Sequence, residues 1–128
     1  MDHPQWSDLP LRARLFRVAH IAWGVVNLTA LGTVWASAVF GPRSRVTTAG
    51  AAALLAVEGV ALVIGRGNCP FGPFQRRLGD PVPMFELFLP PRAAKAAVPV
   101  LTVVSLAGLA ALFGRWLLER REAGRLTP

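Results

Sequence analysis

The chain has 128 residues, of which 53% are hydrophobic and only 16% charged, against roughly 25% charged in ordinary globular domains. That length leaves room for one compact unit, and the composition argues against a single water-soluble core. The formal charge of +7 comes from 14 basic and 7 acidic residues, but the bases stand in short groups at the ends of apolar runs, as membrane flanks do, and not in the single patch that a nucleic-acid partner requires.

Residues 1–14 read as a polar N-terminal surface segment, with Ser7 or Asp8 able to cap an entry helix near Leu9. Residues 15–40 form the first predicted membrane helix. Between Arg17 and Arg43 the only ionisable side chain is His20, and residues 18–40 supply 23 mostly apolar positions, more than the ~20 that cross a hydrocarbon core. Ala36-Ser37-Ala38 fits a signal-cleavage pattern, yet the apolar stretch before it is longer than a signal core, so a retained span is expected. His20, Gly24, Asn27 and Leu31 share one stripe of this helix, and Gly24 is expected to admit the Glu58 face of the next one.

The second helix, predicted at 46–65, carries one charge, Glu58, with Ala52, Ala56 and Gly59 as a small-residue face. The third, predicted at 96–118, has no charge through residue 114 and offers Ala107 with Ala111 and Ala110 with Gly114 for packing. None of the three runs alternates with period two, which favours helices over a membrane barrel. The expected fold is all-α: a single membrane domain over 1–128, three transmembrane helices, a Pro/Phe-rich interfacial or re-entrant loop at 66–95, and a charged tail at 119–128. Eight bases fall on the face holding the N-terminus and the loop and six on the other, so the positive-inside rule puts the loop face in the cytoplasm.

Counting about 1.5 Å per residue inward from Arg17, Arg66 and Lys95 puts His20, Glu58, Asn27, Thr102 and Ser105 in one layer roughly 5–15 Å deep. Ionisable residues at such depth are functional candidates by default. Within the loop, residues 67–91 hold six of the 11 Pro and four of the seven Phe, a composition for a structured segment and not a flexible linker. Cys69 is the only cysteine, which excludes an intrachain disulfide and a multi-cysteine metal site. It reads first as a small turn residue, and otherwise as an acylation site or a thiol assisted by Arg66, Arg76 and Arg77. A Cys-His-Asn enzyme would need His20 to reach the surface, which nothing in the sequence indicates.

Candidate catalytic residues are therefore Cys69, Glu58 and His20, and candidate binding residues are Asn27, Glu58, Thr102, Ser105, Arg76 and Arg77. No metal or other cofactor is expected; haem would need His3 of the tail as partner to His20. The expected partners are the lipid bilayer and a second membrane protein or another copy of the chain. Two functions are open: a non-enzymatic accessory or scaffold subunit, which the small-residue faces favour, or redox, acyl-transfer or proton-linked activity on a lipid-soluble substrate through Cys69 and the Glu58/His20 cluster.

At Cys69-Pro70-Phe71-Gly72-Pro73-Phe74-Gln75 the chain resembles a family of short bacterial multi-span membrane proteins known only as a domain of unknown function, marked by Cys-Pro-Leu-Thr-x-Leu-Glu after a hydrophobic helix. Cys69 and Pro70 agree; Phe71 and Phe74 stand for leucines, Gly72 for the threonine and Gln75 for the glutamate. The run from Arg77 to Pro83 followed by Phe85-Glu86-Leu87 looks like an actinobacterial version. The resemblance implies a multi-pass protein of the bacterial cell membrane and carries no mechanism.

Overall fold

The computed structural model describes residues 5–66, 69 and 71–125, and no strand occurs among them. Pro70 of the Cys-Pro pair and His3 of the tail lie outside the described residues. A 3-10 turn, Trp6–Asp8, precedes α1 (Leu11–Phe40), α2 (Arg45–Ile64), the short α3 (Phe71–Arg77), a second 3-10 turn (Met84–Leu87) and α4 (Pro91–Arg125). α1, α2 and α4 are each long and apolar enough to cross a membrane. At 1.5 Å per residue they measure about 45, 30 and 52 Å, so α1 and α4 exceed a ~30 Å hydrocarbon core. Large apolar side chains such as Val18, Phe40, Val63 and Val103 are exposed on the outside of the bundle, a surface compatible with lipid.

Several boundaries differ from those read in the sequence. Asp8 caps the first 3-10 turn, taking the Gln5 N–H at 3.0 Å, and α1 then starts directly after Pro10 with no side-chain cap. The charged segment after residue 118 continues α4 to Arg125. Arg, Glu and Leu are strong helix formers, Arg115 pairs with Glu119 one turn on at 2.9 Å, and the Arg120 guanidinium lies 4.0 Å from the centre of the Trp116 ring.

α1 is the central helix, packing along both α2 and α4, which touch each other far less. The α1–α2 corner turns at Gly41, whose φ of +93° suits only glycine, and Ser44 caps α2 by accepting the Thr47 N–H. Beside the corner the buried hydroxyls of Ser37 and Thr48 bond at 2.9 Å, and Arg115 Nη1 reaches from α4 to the Ala38 and Val39 carbonyls, which end α1 without intrahelical partners. The core proper, Ala30, Val34 and Leu55 with Leu109 and Leu112 against it, lies in this half of the bundle. Here Gly108 lets α4 approach α1: a Cβ on it would stand 2.8 Å from Trp35 Nε1, which donates to the Val104 carbonyl.

Toward the other end the second 3-10 turn packs on α1 and α4. Met84 from this turn, and not the Glu58 face of α2, covers Gly24. The Pro/Phe-rich loop thus folds back under the bundle, and a cavity of about 780 Å³ remains above it among α1, α2 and α4.

Candidate functional site

The loop is fastened to α1 by a buried ion pair. Arg17 Nε and Nη2 donate to Asp80 Oδ2 and Oδ1 at 2.6 and 2.5 Å, the two-pronged geometry in which guanidinium binds carboxylate most strongly. Asp80 is wholly buried and Arg17 nearly so. The backbone delivers Asp80 there through Gly79, which leaves α3 at a φ of +100° and lies where a Cβ would press on Pro10 at 3.2 Å. Asp80 also accepts the Val82 N–H at 3.2 Å and the Gln75 side-chain amide at 2.9 Å. Burial alone pushes the Asp80 carboxyl up, but the Arg17 guanidinium, the Val82 N–H and the Gln75 amide outweigh it and hold it below the usual carboxylate range. Arg17 is therefore a structural partner of the loop and not a headgroup-facing flank residue.

Gln75 transmits this anchor to His20. Its Nε2 donates twice, to Asp80 Oδ2 and to the Val82 carbonyl at 2.6 Å, and both acceptors can only accept. The amide orientation is thereby determined, and Oε1 faces His20 Nδ1 at 3.0 Å. Since Oε1 can only accept, Nδ1 carries a proton, and in the neutral ring Nε2 is left as the acceptor. Cys69 Sγ lies 3.5 Å from that Nε2. Phe16 and Phe71 pack against the imidazole, with centroids at 5.9 and 5.5 Å.

The sequence offers Cys69 and His20 together as candidates but gives no sign that His20 reaches the surface. The folded-back loop instead brings Cys69 to His20, so Cys69 is half-buried against it. Burial pushes the Cys69 thiol up, and the nearby Glu58 charge adds to the shift while backbone N–H groups of Phe71 and Gly72 oppose it. A protonated thiol thus faces an oriented imidazole, an arrangement in which the base takes the proton as the sulfur attacks.

Cys69 and His20 both open on the 780 Å³ cavity, which Glu58, Asn27, Thr102 and Ser105 also line. The five residues expected in one layer do share one space. Glu58 Oε2 accepts the Trp23 indole N–H at 3.2 Å, so Trp23 serves Glu58. Asn27 Nδ2 bonds the Trp23 carbonyl, and its buried Oδ1 has no partner among the described residues. Thr102 returns its hydroxyl to the Val98 carbonyl of its own helix. Apart from these groups the wall is apolar, with Leu28, Leu31, Leu55, Leu106 and the loop's Phe85 and Phe88 contributing. Arg76 and Arg77 stand exposed on α3 and do not line the cavity.

Among the described residues no three His, Cys, Asp or Glu side chains gather as a metal ion would need. Gln75, Asp80, Arg17 and Trp23 were not singled out as site residues from sequence. Asp80 and Glu86 are the only acids between Glu58 and Glu119, the one local sign that the loop held a partner for a membrane-edge Arg. Comparison with protein-family models, with curated proteins and with solved structures finds no match to this chain.

Proposed function

We propose that this protein is a multi-pass protein of the bacterial cell membrane that takes a lipid-soluble molecule into its intramembrane cavity and presents the polar end of that molecule to Cys69 and His20. The observation that carries the reading is the shared space: a thiol–imidazole pair and Glu58 converge on one cavity of about 780 Å³, within the ~300–1,000 Å³ typical of small-molecule sites. The apolar wall suits a long hydrocarbon chain, and the polar groups sit toward the loop end, where an amphipathic lipid carries its head. The excess of bases on the loop face favours a cytoplasmic position for that end.

The test is photo-crosslinking in nanodiscs with a diazirine-bearing fatty acid, mapped by peptide mass spectrometry. Labels are expected on cavity residues of α1, α2 and α4 and on the 3-10 turn. Gly59 lines the cavity with open space where a Cβ would be, so Gly59→Leu narrows the site and is expected to weaken that pattern. Labels confined to outward-facing residues, unchanged by Gly59→Leu, would refute the reading. Exposed Ala107, Ala110 and Ala111 with an open Gly114 favour the second reading, an accessory subunit packed through α4, which a stoichiometric membrane-protein partner on mild-detergent purification would establish.

A further inference from the structure

Resting on that lipid-binding reading, we propose that Cys69, His20 and Gln75 form an acyl-accepting site, in which Cys69 takes the acyl group of a long-chain acyl thioester whose chain lies in the cavity. The chemistry needs no oxidant and no second thiol. Cys69 Sγ attacks the thioester carbonyl carbon and its proton passes to His20 Nε2. The new C–S bond forms, the donor's C–S bond breaks, and the proton on Nε2 goes to the departing thiolate. The products are S-acyl-Cys69 and a free thiol, with no change of oxidation state. Exchange between two thioesters is close to balanced in free energy, whereas forming one from an oxygen ester is uphill, so the donor class is a thioester. A redox role would instead require a second thiol or an electron acceptor, and the chain has one cysteine.

Each residue has a separate part. Cys69 is the nucleophile, half-buried at the cavity's edge and protonated at rest, so it needs a base at the moment of attack. His20 is that base, with Nε2 at 3.5 Å. Gln75 is a positioning residue: its Oε1 holds the Nδ1 proton at 3.0 Å, which turns the free lone pair of the ring toward sulfur. Asp80 and the Val82 carbonyl hold Gln75 in turn. The apolar wall beyond the thiol seats an alkyl chain and leaves a short acyl group without that contact, so long-chain donors are expected to react faster than short ones.

The experiment uses the full chain in nanodiscs with palmitoyl-coenzyme A as the probe, read by intact mass, by release with neutral hydroxylamine and by the pH dependence of the initial rate. The expected result is one hydroxylamine-labile palmitoyl group per chain, absent from Cys69→Ala. His20→Gln is expected to slow the reaction about 100-fold or more and to move the rising limb of the pH–rate profile up to where the thiol itself ionises. Gln75→Leu is expected to shift the profile the same way, which a merely structural loss would not do; circular dichroism and cavity crosslinking report that each variant is folded. Equal rates for wild type and His20→Gln, or equal rates for acetyl- and palmitoyl-coenzyme A, would overturn the assignment. Diazirine labels in the cavity without acylation of Cys69 would overturn this inference alone, whereas labels outside the cavity would overturn the lipid-binding reading as well.

Discussion

Replacing Asp80 tests how the loop is held and how the site is built on it. Asp80→Ala removes the acceptor of four hydrogen bonds, two from Arg17 and one each from Gln75 and Val82, and leaves the guanidinium buried without a counter-charge. Removing one partner of a buried ion pair costs about 3–5 kcal/mol. The three apolar helices do not depend on this pair, so the cost is expected to fall on the loop, which detaches while the spans stay inserted. Cys69 reports the event because it is the only cysteine and is half-covered in the closed loop. With a tenfold change per 1.4 kcal/mol, loop opening is expected to become roughly 10²- to 10³·⁵-fold more favourable in Asp80→Ala, and maleimide alkylation of Cys69 in nanodiscs to rise to the rate of an uncovered thiol. Arg17→Met combined with Asp80→Leu is expected to recover most of the protection, since a matched apolar pair leaves no orphan charge. Alkylation of Asp80→Ala within threefold of wild type would refute the anchoring role.

Acidification is expected to do the same work reversibly. The Asp80 carboxyl is held below its usual value in the folded chain, so its stabilisation is present in full above the unfolded carboxylate pKa of about 3.9 and is lost as the pH falls from there through the lower folded value; cleavage of the loop by pepsin, a protease active at acid pH, should set in within that window for wild type and show no such step in Asp80→Asn. The Cys69 thiol is pushed up chiefly by burial and further by Glu58, so its alkylation is expected to rise only above the ordinary thiol range of about 8.5, and Glu58→Gln should move that midpoint down by part of the shift. Gly108→Val drives a side chain into the Trp35 indole, an overpacking that should lower stability by about 1–3 kcal/mol in a detergent unfolding assay, whereas Gly32→Ala, with open space around it, should not. Removing one hydroxyl of the Ser37–Thr48 pair strands the other in the core and should cost about 1–3 kcal/mol, while Ser37→Ala with Thr48→Val together should cost less than the sum of the two.

The spans were legible because membrane insertion is decided locally. A run of about twenty apolar residues satisfies the hydrocarbon core whatever lies elsewhere in the chain, and α1, α2 and α4 each contain such a run. Their 1.5 Å rise also put His20, Asn27, Glu58, Thr102 and Ser105 at comparable depth, and these residues do line one cavity. Helix ends were less legible: the cues of charge and hydropathy mark where a helix leaves lipid, not where it stops, and α4 continues to Arg125.

What the tertiary structure decided is the pairing of distant polar groups. Arg17 and Asp80 are 63 positions apart and His20 and Gln75 are 55 apart; no periodicity links such pairs, and the same Arg at a helix end suits a lipid phosphate equally well by composition. Only the backbone path through the turn at Gly79 carries Asp80 under α1, and only there does Gln75 spend both its donors and turn its oxygen to His20. Composition and spacing thus determined that the chain carries three helices long and apolar enough to cross a bilayer and which polar residues share a depth. The return of the loop, pinned by the Arg17–Asp80 pair, decided that Cys69 meets an imidazole with its lone pair turned toward the sulfur.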